Sequence, residues 1–245
     1  STYYLRGARY ITLCHTKNND ICDSSTDTVE NNGLSQFGYE VVQEMNHVGL
    51  MVDVSHISDK ALRDVLAFTR APVVASHSCA KALCDNPRNL SDDLLKAIAK
   101  NGGVIQMCIL SDYVKTPSHE PVRDSARAVV RKKYHDFEGL SDDEMKAARK
   151  EWNEVNDKFP QKLATVSDVA DHIDHLVKVA GINHVGIGTD FDGGGGVDGC
   201  FDVSEMGNIT LELVRRGYSG RAIGKIWGGN LMRVMNKTAR IAQQY

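Results

Sequence analysis

Residues 50–58 read Leu50-Met-Val-Asp-Val-Ser-His-Ile-Ser58. An apolar, β-branched run from Leu50 to Val54 ends in His56, and Ser58 follows at once as a helix-starting residue. A strand and then a capped helix is half of a βαβ unit, and a continuously apolar strand is one covered on both faces, as in a parallel sheet. Behind Ser58, Ala61, Leu62, Val65 and Leu66 recur at helical spacing, so one stripe of that helix faces inward. The serine side chain accepts from free amides of the first turn, which is why it marks the start.

The same pattern repeats along the chain. Buried strands are predicted at Arg9 to Cys14, Leu50 to Val54, Val73 to Ala75, Gly103 to Ile109 and His184 to Gly188. Ser35 and Ser91 start further helices, with Phe37, Val41, Val42, Met45 and Val48 on one stripe and Leu94, Leu95 and Ile98 on the other. Three helices close the chain, at Ile209 to Arg216, Ala222 to Trp227 and Asn230 to Ala242. Repeated strand and helix implies right-handed crossovers and a parallel sheet. The expected fold is α/β, a TIM-type (β/α)8 barrel. Five βα units are countable where the barrel needs eight, and the last is followed by closing helices. The chain is therefore expected to supply the last five units, with the remainder in a missing N-terminal part. Left alone, five units would expose strand edges at Arg9 to Cys14 and His184 to Gly188. Residues 1–245 read as one domain, interrupted at about 115–164 by a charged helical insertion. Its thin apolar stripe is Trp152, Val155 and Phe159, and it is expected to be a solvated insertion, with a lid or subunit contact as the alternative.

Composition excludes several function classes. The chain has 245 residues, 42% hydrophobic and 25% charged, which is ordinary for a globular protein. No apolar run approaches the roughly 18 residues of a membrane span. A net charge of -3 and a pI near 6.3 argue against a nucleic-acid surface. The six cysteines contain no C-x-x-C pair, so a zinc knuckle or a thioredoxin-type site is not expected.

Chemistry gathers at the strand ends. Successive apolar runs end in His15, His56, His77 and Asp190. In a parallel barrel the C-terminal strand ends converge on one mouth, where the active site sits. Three imidazoles and a carboxylate delivered to one rim are a metallohydrolase constellation, since these donors suit Zn²⁺ and an open position holds an acidified water. His172-Ile-Asp174 spells a metal pair, but it falls in a helical pattern of Val169, Ile173, Leu176, Val177 and Ala180. Residues two apart on a helix face different points, so this stretch is expected on a helix surface, with Asp171, His172, Asp174 and His175 toward water or neighbouring loops. Gly193 to Gly196 fits no phosphate-loop context and is expected to be a mouth loop whose backbone passes close to something.

Arg9-Tyr-Ile-Thr-Leu-Cys-His15, Val52-Asp-Val-Ser-His56, Pro72-Val-Val-Ala-Ser-His-Ser78, Asn86-Pro-Arg-Asn-Leu90, Gly188-Thr-Asp-Phe-Asp-Gly193 and Gly229-Asn-Leu-Met-Arg-Val234 together resemble the membrane (renal-type) dipeptidase family, zinc peptidases with an amidohydrolase-like barrel. The resemblance implies a dipeptidase that cleaves dipeptides with a free C-terminal carboxylate, using a hydroxide bridging two Zn²⁺ ions. It implies that His56 and His77 bind one zinc, while a bridging carboxylate and an H-x-D pair lie in the family's N-terminal part, outside this chain. It implies that His15 contacts the substrate carbonyl and its tetrahedral intermediate, that Arg88 binds the substrate carboxylate through its guanidinium fork, and that Asp190 passes a proton to the leaving amine. The partners it implies are a dipeptide and an N-terminal fragment of the same protein, with a homodimer as a candidate assembly. The insertion resembles bacterial members more than animal ones, which points toward a bacterial cytoplasm or periplasm. The competing readings are another barrel metallohydrolase, a cyclic amidase or deacetylase, and an inactive half-barrel.

Overall fold

The computed structural model describes residues 2–244. Five strands form one parallel sheet in the order β1-β2-β3-β4-β5: β1 Tyr10–Thr12, β2 Met51–Asp53, β3 Val74–Ser78, β4 Val104–Met107 and β5 Val185–Ile187. The chain divides into two compact units. The sheet unit runs to Thr116 and resumes at Ala164; the insertion unit is Pro117–Leu163.

In the sheet unit a short α1 (Thr2–Leu5) precedes β1. Helices α2 (Gln36–Val48), α3 (Asp59–Phe68) and α4 (Asp92–Asn101) follow β1, β2 and β3. Each starts at its serine: Ser35 and Ser58 accept from the amides of Gly38 and Ala61, and Ser91 occupies the same position without that bond. Gly49 and Gly102 end α2 and α4 in the left-handed region, at φ 86° in both, where a side chain is disfavoured. After β4 come α5 (Ser111–Val114), then the insertion, then α8 (Val166–Ala180), which leads into β5.

Each strand pairs with the next in sequence, with Tyr10 opposite Met51, Asp53 opposite Val74, Val74 opposite Val104 and Ile105 opposite Val185. This is the expected parallel βα series, shorter at the strand ends than apolarity implied. The β3–β4 register shifts between Ala75 and Ser78. Such an irregularity re-aims side chains, and it falls at Ser76 and His77. Three closing helices follow, α9 (Gly207–Arg215), α10 (Gly220–Gly224) and α11 (Asn230–Ala242), with a wide turn at Lys225–Gly229. Val234 of α11 packs in a small buried cluster with Met51, Val74 and Val104. Those are the first residues of β2, β3 and β4, so α11 covers the N-terminal ends of the strands and leaves the C-terminal ends for a site.

The insertion unit is built on α6 (Pro121–Lys133) and α7 (Asp142–Lys158). Ser141 and Glu144 cap α7 reciprocally. Trp152 is its aromatic centre: Phe137 meets it edge to face at 5.4 Å, and the guanidinium of Arg127 lies over it at 5.1 Å. Of the thin apolar stripe, Trp152 is thus packed within the unit. Among the described residues no helix is long and apolar enough to cross a membrane.

Candidate active site

The C-terminal strand ends hold a cavity of about 590 Å³ lined by His15, His56, His77 and Asp190, together with Thr12, Leu13, Cys14, Asn19, Asp192 and Gly193. The four expected side chains are therefore brought together. His56 and His77 approach Nε2 to Nε2 at 2.8 Å, and the His15 and His56 rings lie at a 42° tilt with centroids 4.3 Å apart.

Each residue is held by its own local device. His56 follows β2 in the left-handed region at φ 72°. Its carbonyl accepts from the Ser25 amide at 2.7 Å, which pins that turn. Asp190 follows β5 at φ 58°, again left-handed. Non-glycine residues in this region mark functional turns, and here two of the four strand ends use it. His15 is exposed at the rim, and its carbonyl accepts from the Ser24 hydroxyl at 2.8 Å. His77 stands at the β3 irregularity, with its amide donating to Ser55 Oγ at 3.0 Å.

The glycine loop explains itself against Asp190. The amides of Gly193 and Gly195 both donate to the Asp190 carbonyl, at 3.1 and 2.6 Å. A Cβ at Gly193 would stand 2.2 Å from Asp190 Oδ1, and one at Gly195 would stand 2.1 Å from the Thr189 carbonyl oxygen. The backbone the loop must approach is thus that of Asp190, whose carboxyl group it also abuts.

Arg88 is buried and lies behind this wall. Its Nη2 donates to the His77 carbonyl at 3.2 Å and its guanidinium lies 5.5 Å over the Tyr113 ring. Its Nε is buried without a partner, and among the described residues no carboxylate pairs with it. Burial, with added repulsion from Arg88, His77 and His15, pushes the His56 pKa down to about 3. Burial and then Arg88 lower His77 as well, with Asp190 and Asp53 opposing. Both rings are neutral at neutral pH, the form that ligates a metal ion.

Two imidazole nitrogens facing each other across 2.8 Å at the cavity wall fit a zinc donor set in kind, and His56 Nδ1 is buried without a partner. Among the described residues no third His, Cys, Asp or Glu completes a metal cluster.

Sequence reading missed Asp53. It is fully buried, and its oxygens accept four bonds, from the Ser55 and Ser76 amides and the Thr12 and Ser76 hydroxyls. An acidic residue inside an otherwise apolar buried strand was the available signal. Of the two directions expected for His172, water or neighbouring loops, the structure shows the second: the ring is 1% exposed. Its Nδ1 accepts from the Ala80 amide at 3.1 Å and its Nε2 donates to the Val114 carbonyl at 2.8 Å. It ties α8 to the segment after β3.

The profile of the membrane dipeptidase family (peptidase family M19) matches residues 1–245. The chain belongs to the membrane dipeptidase family. An uncharacterized dipeptidase of Schizosaccharomyces pombe is 34% identical over 99% of the chain and 49% of its own length. Dipeptidase 3 of Macaca fascicularis is 32% identical over 99% of the chain and 42% of its own length. The chain spans about half the length of these two relatives. Among solved structures, the probable dipeptidase PvdM from Pseudomonas aeruginosa superposes with a TM-score of 0.84 at 35% identity, over 98% of this chain and 65% of that one. A metallo peptidase from Rhodobacter sphaeroides, solved with a phosphinate mimic of L-Ala-D-Ala, shares the fold with a TM-score of 0.74 at 23% identity, over 97% and 57%.

Proposed function

We propose that this chain carries the strand-end half of a zinc dipeptidase site that hydrolyses dipeptides with a free C-terminal carboxylate. The observation that carries the proposal is the convergence of His56 and His77 Nε2 at 2.8 Å in a cavity also lined by His15 and Asp190, in a chain of the M19 family. His56 and His77 would hold one zinc ion, and the remaining ligands of a two-zinc site would come from polypeptide outside these residues. Bound zinc supplies a Lewis acid and a water acidic enough to ionise near neutral pH.

The chain's own residues do the rest. His15, exposed at the rim, donates to the substrate carbonyl oxygen as negative charge develops there. Asp190 takes a proton from the attacking water and returns it to the leaving amine; its left-handed turn and the two glycine amides fix its backbone for that transfer. Arg88, a cation buried behind His77 with no carboxylate partner among the described residues, would donate to the substrate carboxylate from the back of the cavity wall. The clamp restricts substrates to short peptides, because the carboxylate must lie close to the scissile bond.

Kinetics of Arg88→Ala and Asp190→Asn in the zinc-loaded protein test these roles. Arg88→Ala raises KM for unblocked dipeptides with zinc content unchanged, and an unchanged KM removes the clamp. Asp190→Asn lowers kcat with zinc retained, and near-normal turnover removes the shuttle. Turnover of cyclic amides in place of dipeptides would assign the site to a cyclic amidase instead.

A further inference from the structure

His56 and His77 present the same atom to the cavity but are held differently. Nδ1 of His56 has no partner. Nδ1 of His77 lies 2.8 Å from Ser76 Oγ. That hydroxyl also donates to Asp53 Oδ2 at 2.6 Å. Asp53 Oδ2 further accepts from Thr12 at 2.6 Å, and Oδ1 accepts from the amides of Ser55 and Ser76 at 3.0 and 2.9 Å. Four donors on two oxygens make Asp53 an acceptor throughout. They come from β1, from the turn after β2 and from β3, so three neighbouring strands fix where it points.

The consequence is a proton count. A serine hydroxyl has one hydrogen, and Ser76 has given it to Asp53. Toward His77, Ser76 can only accept, so Nδ1 of His77 must carry the proton. Its Nε2 is then a bare lone pair at the cavity, accepting from His56 Nε2–H at 2.8 Å in the metal-free chain. We propose that Asp53 and Ser76 are positioning residues that lock His77 as its Nδ1–H tautomer, so that Nε2 is ready for a divalent cation before one arrives. The chain Asp53–Ser76–His77 does for this histidine what a carboxylate in direct contact does in many metal sites. His56 lacks such a chain and is aimed by its pinned left-handed turn instead. The proposal rests on the reading of His77 as a metal ligand.

The test is a ¹H–¹⁵N spectrum of the histidine rings, recorded on the full chain without metal, followed by zinc titration. Wild type is expected to show His77 protonated on Nδ1 and bare on Nε2. Ser76→Ala removes the acceptor, so the ring proton shifts to Nε2 and the zinc dissociation constant rises roughly 10–100-fold. Ser76→Thr keeps the hydroxyl and restores both. Asp53→Asn gives a sharper result: its amide donates to Ser76, which frees the Ser76 hydrogen for His77 Nδ1 and inverts the tautomer with Ser76 still in place. An Nε2–H pattern in the wild type, or an unaltered ring pattern in both Ser76→Ala and Asp53→Asn, overturns the proposal. Failure of zinc to move the wild-type His77 signals instead removes the metal-ligand reading, while the metal-free ring pattern still decides the tautomer lock.

Discussion

His172→Ala should be among the more damaging single substitutions outside the cavity. The ring is fully enclosed and satisfies two backbone groups at once, the Ala80 amide and the Val114 carbonyl. Removing it orphans both, at about 1–3 kcal/mol each, and empties most of an imidazole, adding about 1 kcal/mol. The expected loss is about 3–7 kcal/mol, a large share of the 5–15 kcal/mol typical of whole domains. Asparagine places an oxygen near Nδ1 and keeps the Ala80 bond; glutamine places an amide nitrogen near Nε2 and keeps the Val114 bond. Each should cost about half as much as alanine. Urea denaturation gives the totals, and hydrogen exchange at the Ala80 amide gives the local effect, lost in alanine and glutamine but kept in asparagine.

Acid should act at the same place. Burial lowers the His172 pKa from its ordinary 6.5. The unfolded chain therefore takes up a proton at a pH where the folded chain does not. The unfolded state binds more protons in that window, so stability rises with pH there. The contribution of His172 is complete above about pH 6.5 and is lost as pH falls through the lower folded value. Subtracting the pH profile of His172→Asn isolates it. A loss below about 1 kcal/mol in His172→Ala, with Ala80 protected as in wild type, would refute the reasoning.

Three further outcomes follow from the cavity wall. Gly195→Ala drives a Cβ into the rigid backbone of Thr189 and Asp190, at 2.1 and 2.6 Å, so its melting temperature falls, by several degrees for about 2 kcal/mol. Gly193→Ala meets only the Asp190 carboxyl group at 2.2 Å; it melts near wild type but loses turnover, about 100-fold for a displacement near 1 Å. Cys14 lines the cavity, and its hydrogen bonds with Cys22 and Ser24 lower its pKa, whereas burial raises Cys79 well above its ordinary value. Maleimide on the native protein should therefore label Cys14 before Cys79, as read by peptide mass mapping.

The strand-end rule carried most of what could be read from sequence. His15, His56, His77 and Asp190 each close an apolar run, and parallel pairing of consecutive strands places all four around one cavity. What escaped was set by local geometry that periodicity does not encode. The left-handed turns at His56 and Asp190 and the register shift at Ser76 decide where side chains point, and none alters the apolar pattern. Asp53 was hidden because it reads as a polar interruption, when its four donors make it the joint between three strands. Polarity left His172 open between water and neighbouring loops; its place three residues after Val169 and four before Leu176 puts it on the buried stripe, against the loops. Arg88 is near the site but behind His77, an arrangement fixed by the loop after β3.

The most direct test is zinc-dependent release of amino acids from an unblocked dipeptide by the intact protein, with the double variant His56→Ala/His77→Ala beside the wild type. Chelation should stop the wild type and added zinc restore it, while the double variant stays inactive with reduced zinc content. Chelator-insensitive turnover, or turnover that survives the loss of both histidines, would contradict the site.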